Sequence, residues 1–242
     1  MPGTEPRREA TNGYDGPLSA DELDRLRALP SPTVANAIET FNVRPRSEGF
    51  MGPEIKCIFP QFPPMVAYAA TAVISARLPA SDKPRIAARE LWDHILSIPQ
   101  PRVLVVQDID YPHPIGSYWG EVNGNIYKAL GCVGTVTNGG VRDLDEVEEM
   151  GFYYFASTLL VSHAYIHLWD AGIPVEVGGL VVRPGDLLHG DKHGVTNIPI
   201  DLAKQVPEAA KQVEERERRI IDLCKSPGMT PEKFPDAMSQ GR

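Results

Sequence analysis

The chain has 242 residues, 42% of them hydrophobic, and a formal net charge of −8 at pH 7. That length and apolar fraction support one large core or two small ones, and an acidic balance with no Lys/Arg-rich run excludes the electrostatic footprint of a nucleic-acid binder. The three cysteines (Cys57, Cys132 and Cys224) are odd in number, far apart and without a C-x-x-C pair, so a disulfide framework or a cysteine zinc site is not expected. A reducing cytoplasm fits best. The N-terminal residues lack the apolar centre of a signal peptide and no apolar run is long enough to span a bilayer, so neither secretion nor membrane insertion is expected.

Residues 1–18 are polar and rich in Gly and Pro, which predicts a flexible arm. "SADELDRLRALP" follows, with Ser19 as N-cap, Glu22 at the capping-box position and Leu23, Leu26 and Leu29 on one stripe before Pro30 stops the helix. A second short helix is expected over 31–41. The proline-broken stretch after it reads as loop with a short strand at 54–59. "MVAYAATAVISARLP", from Met65, has the β-branched and aromatic content of a strand, "RIAARELWDHILSI" (85–98) is an amphipathic helix, and "RVLVVQDID" (102–110) is a buried strand.

The centre of the chain alternates: strand 102–110, helix 121–130 with Val122, Ile126, Ala129 and Leu130 on one face, strand 132–137, helix 143–150, strand 152–156. This βαβαβ order predicts an α/β sheet. Gly131 and Gly151 stand just past the two helices, where a left-handed residue is wanted. "PVEVGGLVVRPGDLLHGDKHGVTNIP" then suggests short antiparallel strands, so the sheet should be mixed. A long charged helix with a thin stripe at Val206, Ala210, Val213, Ile220 and Leu223 follows, and 226–242 reads as a tail. One α/β domain over 19–225 with two frayed ends is the economical organisation.

Two helix starts carry the chemistry. Gly120 ends a loop and Glu121 opens a helix, leaving backbone N–H groups without intrahelical partners, a ready anion site. One strand later Arg142 precedes a second helix start with Asp143 at its cap. Both follow strand carboxyl ends, the edge of an α/β sheet where ligands bind. The planar fork of Arg142 suits a carboxylate or keto oxygen. Asp143 suits a hard divalent cation, since Mg²⁺ commonly takes one or two protein carboxylates plus waters. The bland alternative is that Asp143-x-x-Glu146 is only a capping box and that Gly139 and Gly140 only let the chain turn tightly.

"WGEVNGNIYKALGCVGTVTNGGVRDLDEVEEMGF" followed by "PVEVGGLVVRPGDLLHGDKHGV" resembles the RraA-like family, over roughly residues 30 to 200. That family includes class II 4-hydroxy-4-methyl-2-oxoglutarate and 4-carboxy-4-hydroxy-2-oxoadipate aldolases and regulators of ribonuclease E. Its mark is an acidic residue, twenty intervening residues, Arg-Asp, and x-x-Glu/Asp; this chain has Glu121, Arg142-Asp143 and Glu146. The resemblance implies a swivelling β/β/α fold and a homotrimer or homohexamer with sites between subunits. It implies that the amides of Gly120, Glu121, Val122 and Asn123 cradle a pyruvoyl carboxylate. It further implies that Arg142 binds substrate oxygens, Asp143 ligates a metal (Mg²⁺, or Mn²⁺), and Glu121 positions a water acting as acid or base. Pyruvate release from a 4-hydroxy-2-oxo acid, with oxaloacetate decarboxylation as a side activity, would follow. Residues Glu214, Glu215 and Arg218 or Arg219 of the C-terminal helix would then reach a neighbour's site. Three features depart from the pattern: Glu121 where the aldolases usually carry Asp, Asn36 where Asp is common, and the segment 153–167.

Rival chemistries are thinner. His163-x₃-His167 and His189-x₃-His193 have helical spacing but no helical sequence around them, so zinc is not expected, although His163 or His193 still has a place in a pocket lining. Lys56, the one strand-embedded lysine suited to a Schiff base, has an ordinary reading as an edge-strand charge. A non-catalytic regulator binding a ribonuclease or another protein, and a lyase or isomerase acting on another 2-oxo or sugar acid, are the alternatives.

Overall fold

Ser19 caps the first helix as its sequence predicts. In the computed structural model, which describes residues 16–80 and 86–227 together with residues 229, 230, 232 and 234, helix α1 spans Ala20–Arg27. Glu22 N–H donates to Ser19 Oγ (3.3 Å) and Ser19 N–H to Glu22 Oε2 (2.8 Å), the reciprocal bonds of a capping box. Leu23 and Leu26 are buried. The arm up to residue 15, residues 81–85 and most of the tail expected over 226–242 lie outside the described residues.

Helix α2 (Ser31–Glu39) has no cap of its own; Ser31 N–H donates instead to Asp191 Oδ2 (2.9 Å). The strands are β1 (Lys56–Cys57), β2 (Met65–Ser75), β3 (Arg102–Asp108), β4 (Ser117–Trp119), β5 (Cys132–Val141), β6 (Tyr153–Leu159), β7 (His167–Ala171), β8 (Val175–Val177), β9 (Leu180–Val182), β10 (Leu187–Asp191) and β11 (Gly194–Ile198). Between them stand α3 (Ala88–Ser97), α4 (Glu121–Ala129) and α5 (Leu144–Met150), with α6 (Val206–Lys225) at the end. The main sheet runs β1-β6-β5-β3-β2-β10-β11, with β4 added beside β5 and β7 beside β2. The pairs β2/β3, β3/β5, β4/β5 and β5/β6 are parallel, while β1/β6, β2/β7, β2/β10 and β10/β11 are antiparallel. The sheet is therefore mixed, as the turn chemistry of 174–199 predicts.

Strand β2 shows why the sheet is central. Val66, Tyr68, Ala70, Ala72 and Ile74 join a core that includes Leu23, Leu26 and Leu91 of the helices, while Met65, Ala67, Ala69 and Val73 face a second core with Val175, Val177 and Val182 of the β8/β9 hairpin. Period-two side chains that are apolar on both faces make a continuous apolar run, the signature of a strand covered on both sides.

Three local expectations are corrected. The stripe Val122, Ile126, Ala129, Leu130 does not form the inner face of α4: Gly124 and Tyr127 are buried, whereas Val122 is 72% exposed and Ile126 37%. Tyr127 decides the rotation, because its ring packs against Trp119 with centroids 5.2 Å apart. Strand β5 does not stop at 137 but continues to Val141, so Gly139 and Gly140 are strand residues rather than a tight turn. Close approach explains Gly140, where a Cβ would come 2.4 Å from Leu160 Cδ1. Finally, no capping box forms at Asp143: its backbone is left-handed (φ +56°, ψ +52°) and its side chain caps nothing in α5.

Candidate active site

The sheet itself brings the two helix starts together. Strand β3 leaves β5 after the Val106/Thr137 pair, and β4 takes its place, with Ser117 opposite Gly140 and Trp119 opposite Val141. Helix α4 begins directly after β4 and α5 directly after β5, so their N-termini stand side by side. Arg142 N–H donates to Trp119 O (3.1 Å), fixing the two strand ends against each other.

Asp143 then spans the gap. Its Oδ2 accepts from Glu121 N–H at 2.9 Å, so the carboxylate caps α4, the neighbouring helix, instead of its own. Gly120 is required there by contact, since a Cβ on it would lie 2.4 Å from Asp143 Oδ2 and 3.1 Å from Arg142 Nε. The first intrahelical bond of α4 is Gly124 N–H to Gly120 O (2.9 Å), which leaves the amides of Val122 and Asn123 without an intrahelical acceptor. Asn123 is held by its side chain, whose Nδ2 donates to Tyr118 O (2.6 Å).

Arg142 is anchored by a backbone carbonyl and by a long ion pair with Asp143. Its Nη1 donates to Val161 O (3.4 Å), and its Nε lies 3.8 Å from Asp143 Oδ2, buried and with no hydrogen-bond partner among the described residues. A cleft of about 210 Å³ opens over this arrangement, lined by Gly120, Val122, Asn123, Arg142 and Asp143, with Tyr118 and His163 also on its wall. Beneath it the Tyr154 hydroxyl is buried and its titration pushed up, first by burial and then by the Asp143 carboxylate. The arrangement offers amide donors at a helix N-terminus, a guanidinium and one carboxylate with an oxygen to spare, a set suited to a small acid with adjacent oxygens.

Most residues singled out in the sequence are brought together here. Gly120, Val122, Asn123, Arg142 and Asp143 line the cleft; Glu121 contributes its backbone amide, while its exposed side chain is not part of the lining. His163 lines the cleft and His193 does not: the His193 ring lies 3.1 Å from Asp191 Oδ1. His189 is wholly buried, accepting from Ser31 Oγ at Nδ1 (2.9 Å) and donating from Nε2 to Leu29 O (3.0 Å), so no nitrogen is left for a metal. Lys56 stands exposed on the edge strand β1. Asn36 lies away from the cleft and donates to Glu217 Oε1 (3.3 Å). Glu214, Glu215, Arg218 and Arg219 line a separate groove along α6, of about 720 Å³, with Thr33 and Lys211. Tyr118 is a site element that the motif spacing does not point to, whereas the 160–166 segment enters through His163, whose place in a pocket lining the sequence suggests.

Asp143 suits a metal that asks little of the protein. Among the described residues no three metal-ligating side chains converge. One carboxylate with a free oxygen fits a Mg²⁺-type ion that keeps most of its waters, and does not fit a zinc cage. No helix of the described residues is long and apolar enough to cross a membrane.

Known proteins share both sequence and fold with this chain. A "Putative 4-hydroxy-4-methyl-2-oxoglutarate aldolase" of Halalkalibacterium halodurans is 35% identical over 100 residues, covering 39% of this chain and 48% of that protein. A protein of Arabidopsis thaliana with the same name, numbered 3, is 34% identical over 74 residues, 30% of this chain and 44% of that one. The chain thus spans about half the length of the curated relatives it matches. Among solved structures, an uncharacterized protein of Pseudomonas syringae pv. tomato superposes with TM-score 0.69 at 24% identity, over 96% of this chain and 99% of that one. Streptomyces coelicolor RraAS2, described as an unusual member of the RNase ES inhibitor RraA protein family, superposes with TM-score 0.65 at 21% identity over 83% and 96%. At such identities the likeness is one of fold. The RraA-like model (Aldolase/RraA) matches residues 28–196, well over half the chain, and the protein belongs to that family.

Proposed function

We propose that this protein is a divalent-metal-dependent carbon–carbon lyase that releases pyruvate from a 4-hydroxy-2-oxo acid. One observation carries the reading: the 2.9 Å bond from Glu121 N–H to Asp143 Oδ2, which locks two helix starts around a single small cleft. The relatives named as aldolases support it at the level of the family.

Breaking the C3–C4 bond next to a 2-keto group leaves an electron pair that must be delocalised as the enolate of pyruvate. Enolate charge is stabilised by preorganised donors in a partly dry cleft. The amides of Gly120, Val122 and Asn123 would hold the substrate carboxylate, the Glu121 N–H being taken by Asp143, with Arg142 on the 2-keto oxygen. Asp143 would hold the metal, and a bound Mg²⁺ or Mn²⁺ would add Lewis-acid polarisation of the keto group. The exposed Glu121 carboxylate would orient a water that protonates C3. Decarboxylation of oxaloacetate passes through the same enolate and is the expected side activity.

A homotrimer or homohexamer belongs to this reading. Val122 and Val161 are 72% and 96% exposed at or beside the cleft, positions that a neighbouring subunit would cover. Glu214, Glu215, Arg218 and Arg219 of α6 are the candidates to reach a neighbour.

The test is pyruvate formation from 4-hydroxy-4-methyl-2-oxoglutarate and from oxaloacetate, coupled to lactate dehydrogenase, with Mg²⁺ and with EDTA. Metal-dependent pyruvate is expected. No pyruvate from either substrate, with Asp143→Ala matching wild type in Mg²⁺ binding, would favour a protein-binding regulator instead.

A further inference from the structure

The 160–166 segment, between β6 and β7, is built more tightly than its exposure suggests. Ser117 N–H donates to Ser162 O (2.9 Å), Ala164 N–H to Ser162 Oγ (3.0 Å) and Tyr165 N–H to Ala76 O (3.1 Å). Gly116 lets the segment sit close, since a Cβ there would lie 2.5 Å from His163 O. Ala164 is left-handed, with φ +47°, although it carries a Cβ. Such a residue is strained and persists only where its surroundings over-determine it, which is characteristic of functional sites.

The segment carries His163, on the wall of the cleft shared with Arg142 and Asp143. Its Nδ1 lies 2.8 Å from Ala164 O. A carbonyl oxygen only accepts, so Nδ1 carries a hydrogen, and in the singly protonated ring Nε2 is then the bare acceptor. Nε2 has no partner among the described residues. An acceptor repels a carboxylate and welcomes a hydroxyl proton, so the tautomer selects the kind of substrate group that His163 meets.

We infer that His163 is the catalytic base that takes the proton from the 4-hydroxyl of the substrate, an inference that rests on the pyruvate-releasing reading above. Nε2 accepts the hydroxyl proton, and the O–H electron pair becomes the second bond of the new C4 carbonyl. The C3–C4 pair moves into C2–C3, and the C2 oxygen takes the negative charge. The water beside Glu121 then protonates C3, and the imidazolium returns its proton to solvent. No oxidant or reductant is consumed.

The test compares two reactions of the same protein with Mg²⁺ present. One is cleavage of 4-hydroxy-4-methyl-2-oxoglutarate, which needs a base for the hydroxyl. The other is exchange of the pyruvate methyl protons with D₂O, read by NMR, which needs the enolate site but no hydroxyl base. In His163→Gln and His163→Ala, kcat for cleavage is expected to fall about 100-fold, the usual worth of a general base, and to fall far more than the exchange rate. Added imidazole should restore part of the cleavage in His163→Ala. Parallel loss of both reactions would reduce His163 to a support for the cleft and overturn the inference, as would undiminished cleavage. Exchange without cleavage in the wild type would also overturn it, because no hydroxyl proton would be moved. A wild type that does neither would defeat the pyruvate-releasing reading itself.

Discussion

Asp143 caps a helix that begins 22 residues before it: its Oδ2 takes the Glu121 N–H at 2.9 Å, while the start of its own helix goes without a side-chain cap. One carboxylate therefore stabilises α4 and fixes the spacing between the amide cradle and Arg142. Losing it should have two separable effects. Asp143→Ala removes the cap and the charge, and is expected to cost about 1 kcal/mol of stability. Asp143→Asn keeps an acceptor for Glu121 N–H and should retain much of that stability. Both should lower pyruvate release about 100-fold or more, because the charge is gone in each. Urea unfolding and the coupled assay together check this; an Asn variant with full activity would remove the carboxylate from the chemistry.

Gly120→Ala tests the same contact from the other side. The new Cβ would sit 2.4 Å from Asp143 Oδ2, so either the carboxylate swings away or the start of α4 shifts. Overpacking of this kind costs about 1–3 kcal/mol. The Glu121 amide should exchange with solvent faster than in wild type, and activity should fall to the level of Asp143→Ala. Hydrogen exchange with mass readout gives the first, and the coupled assay the second.

Ser19 and Asp143 show how far local pattern reaches. Both are followed three residues later by Glu, and only Ser19 forms the box, because its backbone is extended while Asp143 is left-handed and its carboxylate is claimed across the sheet. A bond between residues 22 apart leaves no mark in a four-residue motif. The βα alternation was legible because each strand and helix carries its own period, and it placed Gly120 and Arg142 at neighbouring strand ends. The facing of α4 was not legible, since one aromatic contact, Tyr127 on Trp119, outweighs the aliphatic stripe. Nor was the 160–166 segment, whose shape comes from bonds to Ala76, Ser117 and Arg142 rather than from any repeat of its own.

That outward stripe leads to a prediction about assembly. An exposed Val122 at the rim of the cleft is stable in water only at the cost of hydrated apolar surface, and covering it in an oligomer recovers that cost. The wild type is expected to run as a trimer or hexamer in size-exclusion chromatography with light scattering. Val122→Asp should shift it toward the monomer, since a carboxylate desolvated in an interface without a partner costs several kcal/mol. An oligomer untouched by Val122→Asp would place the contact elsewhere on the surface.

Asp108 predicts the pH dependence of stability. It ends β3, is only 4% exposed, and its Oδ2 has no hydrogen-bond partner among the described residues. Its carboxyl is pushed up to about 6, by burial first and then by the Asp110 charge, against the Asp110 N–H donated to Oδ1 and the Arg77 charge. The folded state thus holds a proton that the unfolded chain has released by about pH 4, and unfolding gives it up. Stability from this group is full below the unfolded value, declines as pH rises through about 6, and is absent above it. At about 1.4 kcal/mol per unit, the whole shift corresponds to roughly 3 kcal/mol, of which about 2 kcal/mol is lost between pH 4.5 and pH 7.5. Asp108→Asn cannot ionise and keeps an acceptor for Asp110 N–H, so its unfolding free energy should lack this decline. Wild type minus variant, from urea unfolding at pH 4.5, 6 and 7.5, should therefore fall with pH, most of it between pH 4.5 and 6. A flat difference would mean that Asp108 is already ionised in the folded protein at pH 4.5.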